Sequence, residues 1–177
     1  MIEKIIIAGA GGQGIMLLGK VLAEAGLKQD KFITWFPSYG AEVRGGAAYC
    51  MVVISDEEIS SPYVEKADTL IVMNEPSLEK FKNRIKNKGL FIVNSSLVSR
   101  SVDKKDVEVI KQPFTDIALK LGNIRIANMV VLGCYIAKKK IIDKENIFKV
   151  MDEIAPPDKR NLIAINKKAL EEGINLK

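Results

Sequence analysis

The chain has 177 residues, enough for one domain with a real core and too few for two of ordinary size. Lysine and arginine total 27 against 22 acidic residues, a formal charge of +5 without a dense basic run, so composition does not call for a nucleic-acid partner. Histidine is absent, which removes the commonest general base and nitrogen metal ligand; with no span of roughly 20 apolar residues and no signal-peptide pattern, no membrane association and a cytoplasmic location are expected.

The apolar run Ile5-Ile6-Ile7-Ala8 reads as a buried parallel strand, and it leads directly into Gly9-Ala10-Gly11-Gly12-Gln13-Gly14. The spacing fits G-x-G-x-x-G. Gly9 would permit the tight turn, Gly11 the close approach of a ligand to backbone, and Gly14 the packing of a helix on a strand. That helix carries Ile15, Leu18, Leu22 and Ala25, joined by Leu17 and Val21, toward the sheet, and Gly26 weakens its last turn. Phe32-Ile33-Thr34-Trp35-Phe36 is a second strand. A dinucleotide fold places an acid near the end of this strand, roughly 20 residues past the glycines, for the ribose hydroxyls. Trp35-Phe36-Pro37 stand there instead, which counts against NAD.

The connector Pro37 to Gly46 precedes a third strand, Ala47 to Ile54. A parallel crossover takes about a dozen residues and usually a helix, so this shorter connector predicts an antiparallel pairing and a mixed sheet. Its glycines and Arg44 can present backbone N–H groups and a guanidinium to an anion or carboxylate, while a long hairpin loop with a surface Arg44–Glu42 pair is the plainer account of the same residues. Thr69 to Met73 is a fourth strand, and Pro76-Ser77 opens a helix with Leu78, Phe81 and Ile85 inward that stops at Lys88-Gly89. Leu90 to Val93 is a fifth strand. Asn74, Glu75, Asn94 and Ser95 then share the carboxyl edge with the glycine turn, as turn formers and caps.

Val107 to Ile110, poor in apolar residues, is expected at a sheet edge. Beyond Gln112-Pro113 the chain turns helical. Phe114 to Leu121 is short. Asn128 is expected to cap a helix that is apolar nearly all round from Met129 to Ile136, a pattern suited to an interface, and Lys138-Lys139-Lys140 form its solvated last turn. Asp143 caps the next helix, Pro156-Pro157 break it, and Gly173 ends the last. Cys50 and Cys134 lie in apolar surroundings without C-x-x-C spacing and read as reduced packing residues. The expectation is a three-layer α/β/α domain spanning 1–177, with a mostly parallel, mixed sheet of about six strands, a Rossmann-like first βα unit and a helical C-terminal third. No pair of carboxylates, nucleophile or metal-ligand set completes a catalytic group, so no catalytic and no metal-binding residue is assigned.

Three segments together resemble one family, and in the same order along nearly the whole chain. Gly11-Gly12-Gln13-Gly14, Ser38-Tyr39-Gly40-Ala41-Glu42-Val43-Arg44-Gly45-Gly46 and Asn128-Met129-Val130-Val131-Leu132-Gly133 look like the gamma subunits of 2-oxoacid:ferredoxin oxidoreductases. The second segment is the most specific. Ala10 and Tyr39-Gly40, with Ala47-Ala48 after Gly46, look more like the 2-oxoglutarate type than the pyruvate type, and the indolepyruvate enzymes are related. The resemblance implies a complex that converts a 2-oxoacid, coenzyme A and oxidised ferredoxin to acyl-CoA, carbon dioxide and reduced ferredoxin. It implies alpha and beta, and in some assemblies delta, partner subunits, which carry thiamine diphosphate, magnesium and iron-sulfur clusters. This chain, inactive alone, would complete the assembly and contact coenzyme A or a partner through Gly9, Gly11, Gly12, Gln13 and Gly14 of the first loop and Ser38, Tyr39, Gly40, Glu42, Arg44, Gly45 and Gly46 of the second. A stand-alone NAD(P)-binding oxidoreductase and a purely structural scaffold are the competing readings.

Overall fold

A computed structural model describes residues 1–38, 48–102 and 104–176. Six strands form one sheet: β1 (Ile2–Gly9), β2 (Phe32–Ser38), β3 (Ala48–Ser55), β4 (Ala67–Val72), β5 (Ile85–Asn94) and β6 (Glu108–Gln112), in the order β2-β3-β1-β4-β5-β6. Only β3 runs against the others. It pairs antiparallel with both β1 and β2, as the short connector required, while β1, β4, β5 and β6 are mutually parallel. The central strands are β-branched and apolar because they are covered on both faces: Ile5, Ile6 and Ile7 are all fully buried. β6, with two of its five residues exposed, sits at an edge as its composition predicted.

The helices divide unequally between the faces. α1 (Ile15–Leu27), α3 (Phe114–Lys120), α4 (Ala127–Lys139), α5 (Lys144–Ile154) and α6 (Ile163–Ile174) contribute to the larger core, around Ile5, Ile7, Val52 and Ile92. α2 (Glu75–Phe81) packs on the opposite face, where Leu78 and Phe81 meet Ile6, Val53, Leu70 and Phe91. The sheet is therefore the middle of three layers, and one outer layer is thin.

Several boundaries differ from the sequence expectation, each for a local reason. α2 ends at Phe81 and not at Lys88; a 3₁₀ turn over Lys82–Arg84 follows, and β5 begins at Ile85, opposite Ala67. Arg84 fixes this early exit by donating to the carbonyls of Val64 and Glu65. Gly173 lies inside α6, one residue before its end, and serves packing, as does Gly26 in the last turn of α1 where it was expected. A Cβ on Gly26 would sit 2.5 Å from Ile33 Cδ1, and one on Gly173 only 1.9 Å from the Val130 carbonyl oxygen. On α4 a Cβ at Gly133 would meet the Leu170 carbonyl oxygen at 2.0 Å, so two glycines let α4 and α6 cross at backbone contact. The apolar girdle of α4 is thus consumed within the chain: its residues Ala127 through Ile136 are buried, without a partner subunit. Its last turn is solvated as expected at Lys138, whose pair with Glu108 at 2.5 Å is on the surface, and at Lys140, whereas Lys139 turns in to the buried Glu3 carboxylate at 3.0 Å. Asp143 does stand at the N-cap of α5, but through its carbonyl, which accepts from Asn146 and Ile147, and not through a side-chain bond.

Candidate functional site at the carboxyl edge of the sheet

β1 turns into α1 over the larger core, whereas β4, its parallel neighbour, turns into α2 over the other face. The two chains diverge at the carboxyl edge, the place where open α/β sheets form a crevice. The glycine turn lies here. Its conformation comes from Gly12 (φ 87°) and Gly14 (φ 71°), the latter being the left-handed N-cap of α1. Gly9 plays a different part from the one its spacing indicated. A Cβ there would fall within 3 Å of Gln13 Oε1, Ile15 Cδ1 and Met73 Cβ, so Gly9 makes room for the side chain that closes the turn.

That side chain is Gln13. Its Oε1 accepts the Ala10 N–H at 2.6 Å and its Nε2 donates to the Met73 carbonyl at 3.3 Å, tying the end of β1 to the end of β4. The same Met73 carbonyl accepts from Asn94 Nδ2 at 3.2 Å, and Asn94 is fully buried against Thr115 at the start of α3. Asn128 completes the set. It stands two residues inside α4 and is not the cap; Nδ2 donates to the Gly14 carbonyl at 3.1 Å and Oδ1 accepts the Met129 N–H at 2.9 Å. A Cβ on Gly14 would lie 2.4 Å from Asn128 Nδ2. Gly14 therefore packs on α4, not on a strand. Three carboxamides thus hold the switch point shut, leaving only a crevice of about 120 Å³ beside Gln13, Leu97 and Arg125.

The open space lies on the other side of the turn. A cleft of about 410 Å³ is bounded by Ala10, Gly11, Gly12 and Gly14, by Met16 and Leu17 of α1, and by Ser38 and Ala48. In the register of the sheet Gly9 stands opposite Ala48, and Ser38 opposite Tyr49, so the two residues that flank the second segment stand beside the glycine turn. Gly9, Gly11, Gly12, Gln13, Gly14 and Ser38 are thereby brought together. Tyr39, Gly40, Glu42, Arg44, Gly45 and Gly46 lie outside the described residues. The N–H groups of Ile15, Met16 and Leu17 precede the first intrahelical bond, from Leu18 to Gly14, and give this end of the helix its positive pole. Leu17, expected to face the sheet, is 44% exposed and forms a wall of the cleft. Helical spacing admitted it to the apolar face, and only its place one turn into α1 hints at this exposure.

Nothing described supplies a reacting group. The Cys50 thiol lies under the first turn of α1, donating to the Ile15 carbonyl at 3.6 Å, and burial pushes its pKa up to about 12; burial likewise raises Cys134 to about 11. Both are thiols at neutral pH and inert as nucleophiles. Among the described residues no group of His, Cys, Asp and Glu can hold a metal ion. The dinucleotide reading meets a topological obstacle as well. β3 intervenes between β1 and β2, so the end of β2 lies two strand spacings from the glycine turn, about 10 Å, and carries Ser38 where an acid would be needed.

Fold and site together define a doubly wound α/β chain that presents a glycine turn beside a cleft, with no described catalytic set of its own. Residues 4–176 match the pyruvate ferredoxin/flavodoxin oxidoreductase family, and the chain belongs to it. It is 38% identical to the 2-oxoglutarate synthase subunit KorC of Methanocaldococcus jannaschii over 94% of this chain and 92% of the relative. It is 35% identical to the ketoisovalerate oxidoreductase subunit VorA of Methanothermobacter thermautotrophicus over 96% of this chain; there it spans only 35% of the relative's length. Among solved structures, the gamma subunit of the keto/oxoacid ferredoxin oxidoreductase of Geobacter sulfurreducens superposes with a TM-score of 0.84 at 28% identity, covering 97% of this chain and 96% of the other. The same fold forms 30% of a chain of the 2-oxoglutarate:ferredoxin oxidoreductase of Magnetococcus marinus, with a TM-score of 0.88 at 24% identity over 97% of this chain.

Proposed function

We propose that this chain is the gamma subunit of a cytoplasmic 2-oxoacid:ferredoxin oxidoreductase, a single domain that completes the complex and lines the approach of coenzyme A. The observation that carries this reading is the meeting of the family's segments at one edge: Asn128 of the third bonds the glycine turn of the first, and Ser38 of the second borders the same cleft. 2-Oxoglutarate is the favoured acid, supported by the full-length likeness to KorC, with a branched 2-oxoacid next because of the likeness to VorA. Thiamine diphosphate, magnesium and the iron-sulfur clusters belong to the alpha, beta or delta chains. The two cysteines of this chain, Cys50 and Cys134, do not fit a cluster, which takes about four convergent cysteine thiolates.

Coenzyme A suits the cleft chemically. Its phosphates match the unpaired N–H groups at the head of α1 and its acyl-amide arm matches the walls of Met16 and Leu17, while Arg44, in the segment between Ser38 and Ala48, would supply a guanidinium to a phosphate. The role of the chain is then positional, and decarboxylation and electron transfer proceed on its partners. In the reconstituted complex, Arg44→Ala is expected to raise the Michaelis constant for coenzyme A at least tenfold with little change for the 2-oxoacid. An unchanged constant in an intact, active complex would leave the chain a scaffold only. Saturable binding of NAD(H) by the isolated chain would favour the oxidoreductase reading instead.

A further inference from the structure

The two edges of the sheet are built differently. β6 carries Glu108 and Lys111, charges that discourage another strand from adding to an edge. β2 (Phe-Ile-Thr-Trp-Phe-Pro-Ser) carries no charge and is blunted only near its end, by Pro37; among the described residues it has β3 on one side and no strand on the other. Phe32 and Phe36 on one face are 46% and 42% exposed, while Ile33 and Trp35 pack under α1 on the other. Lys31, at the entry of the strand, is neutralised within its own chain by Asp56 at 2.5 Å.

We propose that β2 pairs antiparallel with the β2 of a second copy of this chain about a two-fold axis at Thr34, joining two sheets edge to edge. The pattern of the strand is self-complementary about that residue. Phe32 falls opposite Phe36 of the other copy and Ile33 opposite Trp35, so aromatic meets aromatic on the outer face and apolar meets apolar on the inner one. Centring the axis on Ile33 or Trp35 sets Phe32 against Thr34, or Phe36 against Thr34, and leaves a ring unmatched.

The area fixes how strong the contact is. Four half-exposed rings contribute about 350 Å², taking roughly 200 Å² for a buried phenylalanine. With the two strand edges added, the total stays below about 1,200 Å², the range of weak and transient contacts. The pairing is therefore concentration-dependent in the free chain, and it becomes effective when other contacts hold two copies in one assembly.

Cross-linking tests the axis directly. Residues facing each other across it have Cα atoms about 4.5–5.5 Å apart, within disulfide range, and both native cysteines are buried. Oxidation of the Thr34→Cys chain should give a disulfide-linked homodimer as the main product, whereas Phe32→Cys alone should link at least tenfold less. Mixing Phe32→Cys with Phe36→Cys chains should restore linking, and adding Phe36→Lys to Thr34→Cys should abolish it. Sedimentation of the unmodified chain should show a dimer growing with concentration. A monomer at every concentration with no Thr34→Cys dimer, linking at Ile33→Cys or Trp35→Cys instead, or a Thr34→Cys disulfide to a different chain of the complex would each overturn the proposal.

Discussion

Asn128→Ala removes the one side chain that joins the start of α4 to the glycine turn, and its cost can be worked from the bonds it makes. The Gly14 carbonyl loses the Asn128 amide but keeps the Leu18 N–H, so it remains satisfied. The Met129 N–H is buried and lies ahead of the first bond of α4, and Asn128 Oδ1 accepts it. Its loss leaves a buried donor unpaired, at about 1–3 kcal/mol. In a chain of this size each kcal/mol shifts Tm by roughly 2–4 °C, so urea unfolding should show a loss of about 1–3 kcal/mol and a melt should fall by about 2–12 °C. Hydrogen exchange at Gln13 and Leu18 should quicken because the turn loses its anchor. Asn128→Asp separates the two bonds: it keeps an acceptor for Met129 but sets a carboxylate against the Gly14 carbonyl, and it should cost at least as much as alanine. A change under about 0.5 kcal/mol for Asn128→Ala, the size of an ordinary surface substitution, would refute the reasoning.

Gly133→Ala and Gly173→Ala should each destabilise by about 3 kcal/mol or more, or prevent folding, because the added methyl meets backbone at 2.0 and 1.9 Å and neither helix can yield locally; circular dichroism of the purified variants checks this. Cys50 and Cys134 should resist a thiol reagent at pH 8 in the native chain and react promptly in urea, since their pKa values of about 12 and 11 keep them protonated as well as buried; rapid native labelling would contradict the assignment. Asp56 bonds to Lys31 and to the N-terminal amine, which hold its pKa at about 2, below the usual 3.8. A lowered folded pKa stabilises the native state above the unfolded value and is lost as pH falls through the folded one. The Asp56 contribution should therefore fade between about pH 4 and pH 2, and an NMR titration should place its midpoint near 2, moving upward in Lys31→Ala.

Much of this architecture is legible because it follows from period and length. Runs such as Ile5-Ile6-Ile7 and Val52-Val53-Ile54 can only be central strands, and the length of the β2–β3 connector forces β3 to run antiparallel. The start of β5 escapes detection because Ile85 continues the helical spacing of Leu78 and Phe81 as well as it begins a strand; what decides it is Arg84 bonding to Val64 and Glu65, far away in sequence. Gly173 reads as a helix end because a glycine near a C-terminus usually is one, while a glycine at a helix crossing gives no periodic signal. The glycine turn itself is visible, but the residues that lock it are not. Gln13, Asn94 and Asn128 each act through a single amide on a distant backbone carbonyl, and Asn128 lies 114 positions from Gly14.

The central claim is that this chain works as one part of a larger enzyme, and purification of the tagged chain from its native host tests it most directly. Thiamine diphosphate-binding and iron-sulfur partners should come with it, and the assembly should reduce ferredoxin with a 2-oxoacid and coenzyme A, losing that activity when this chain is removed. A free chain with turnover of its own, or a partner assembly fully active without it, would contradict the account.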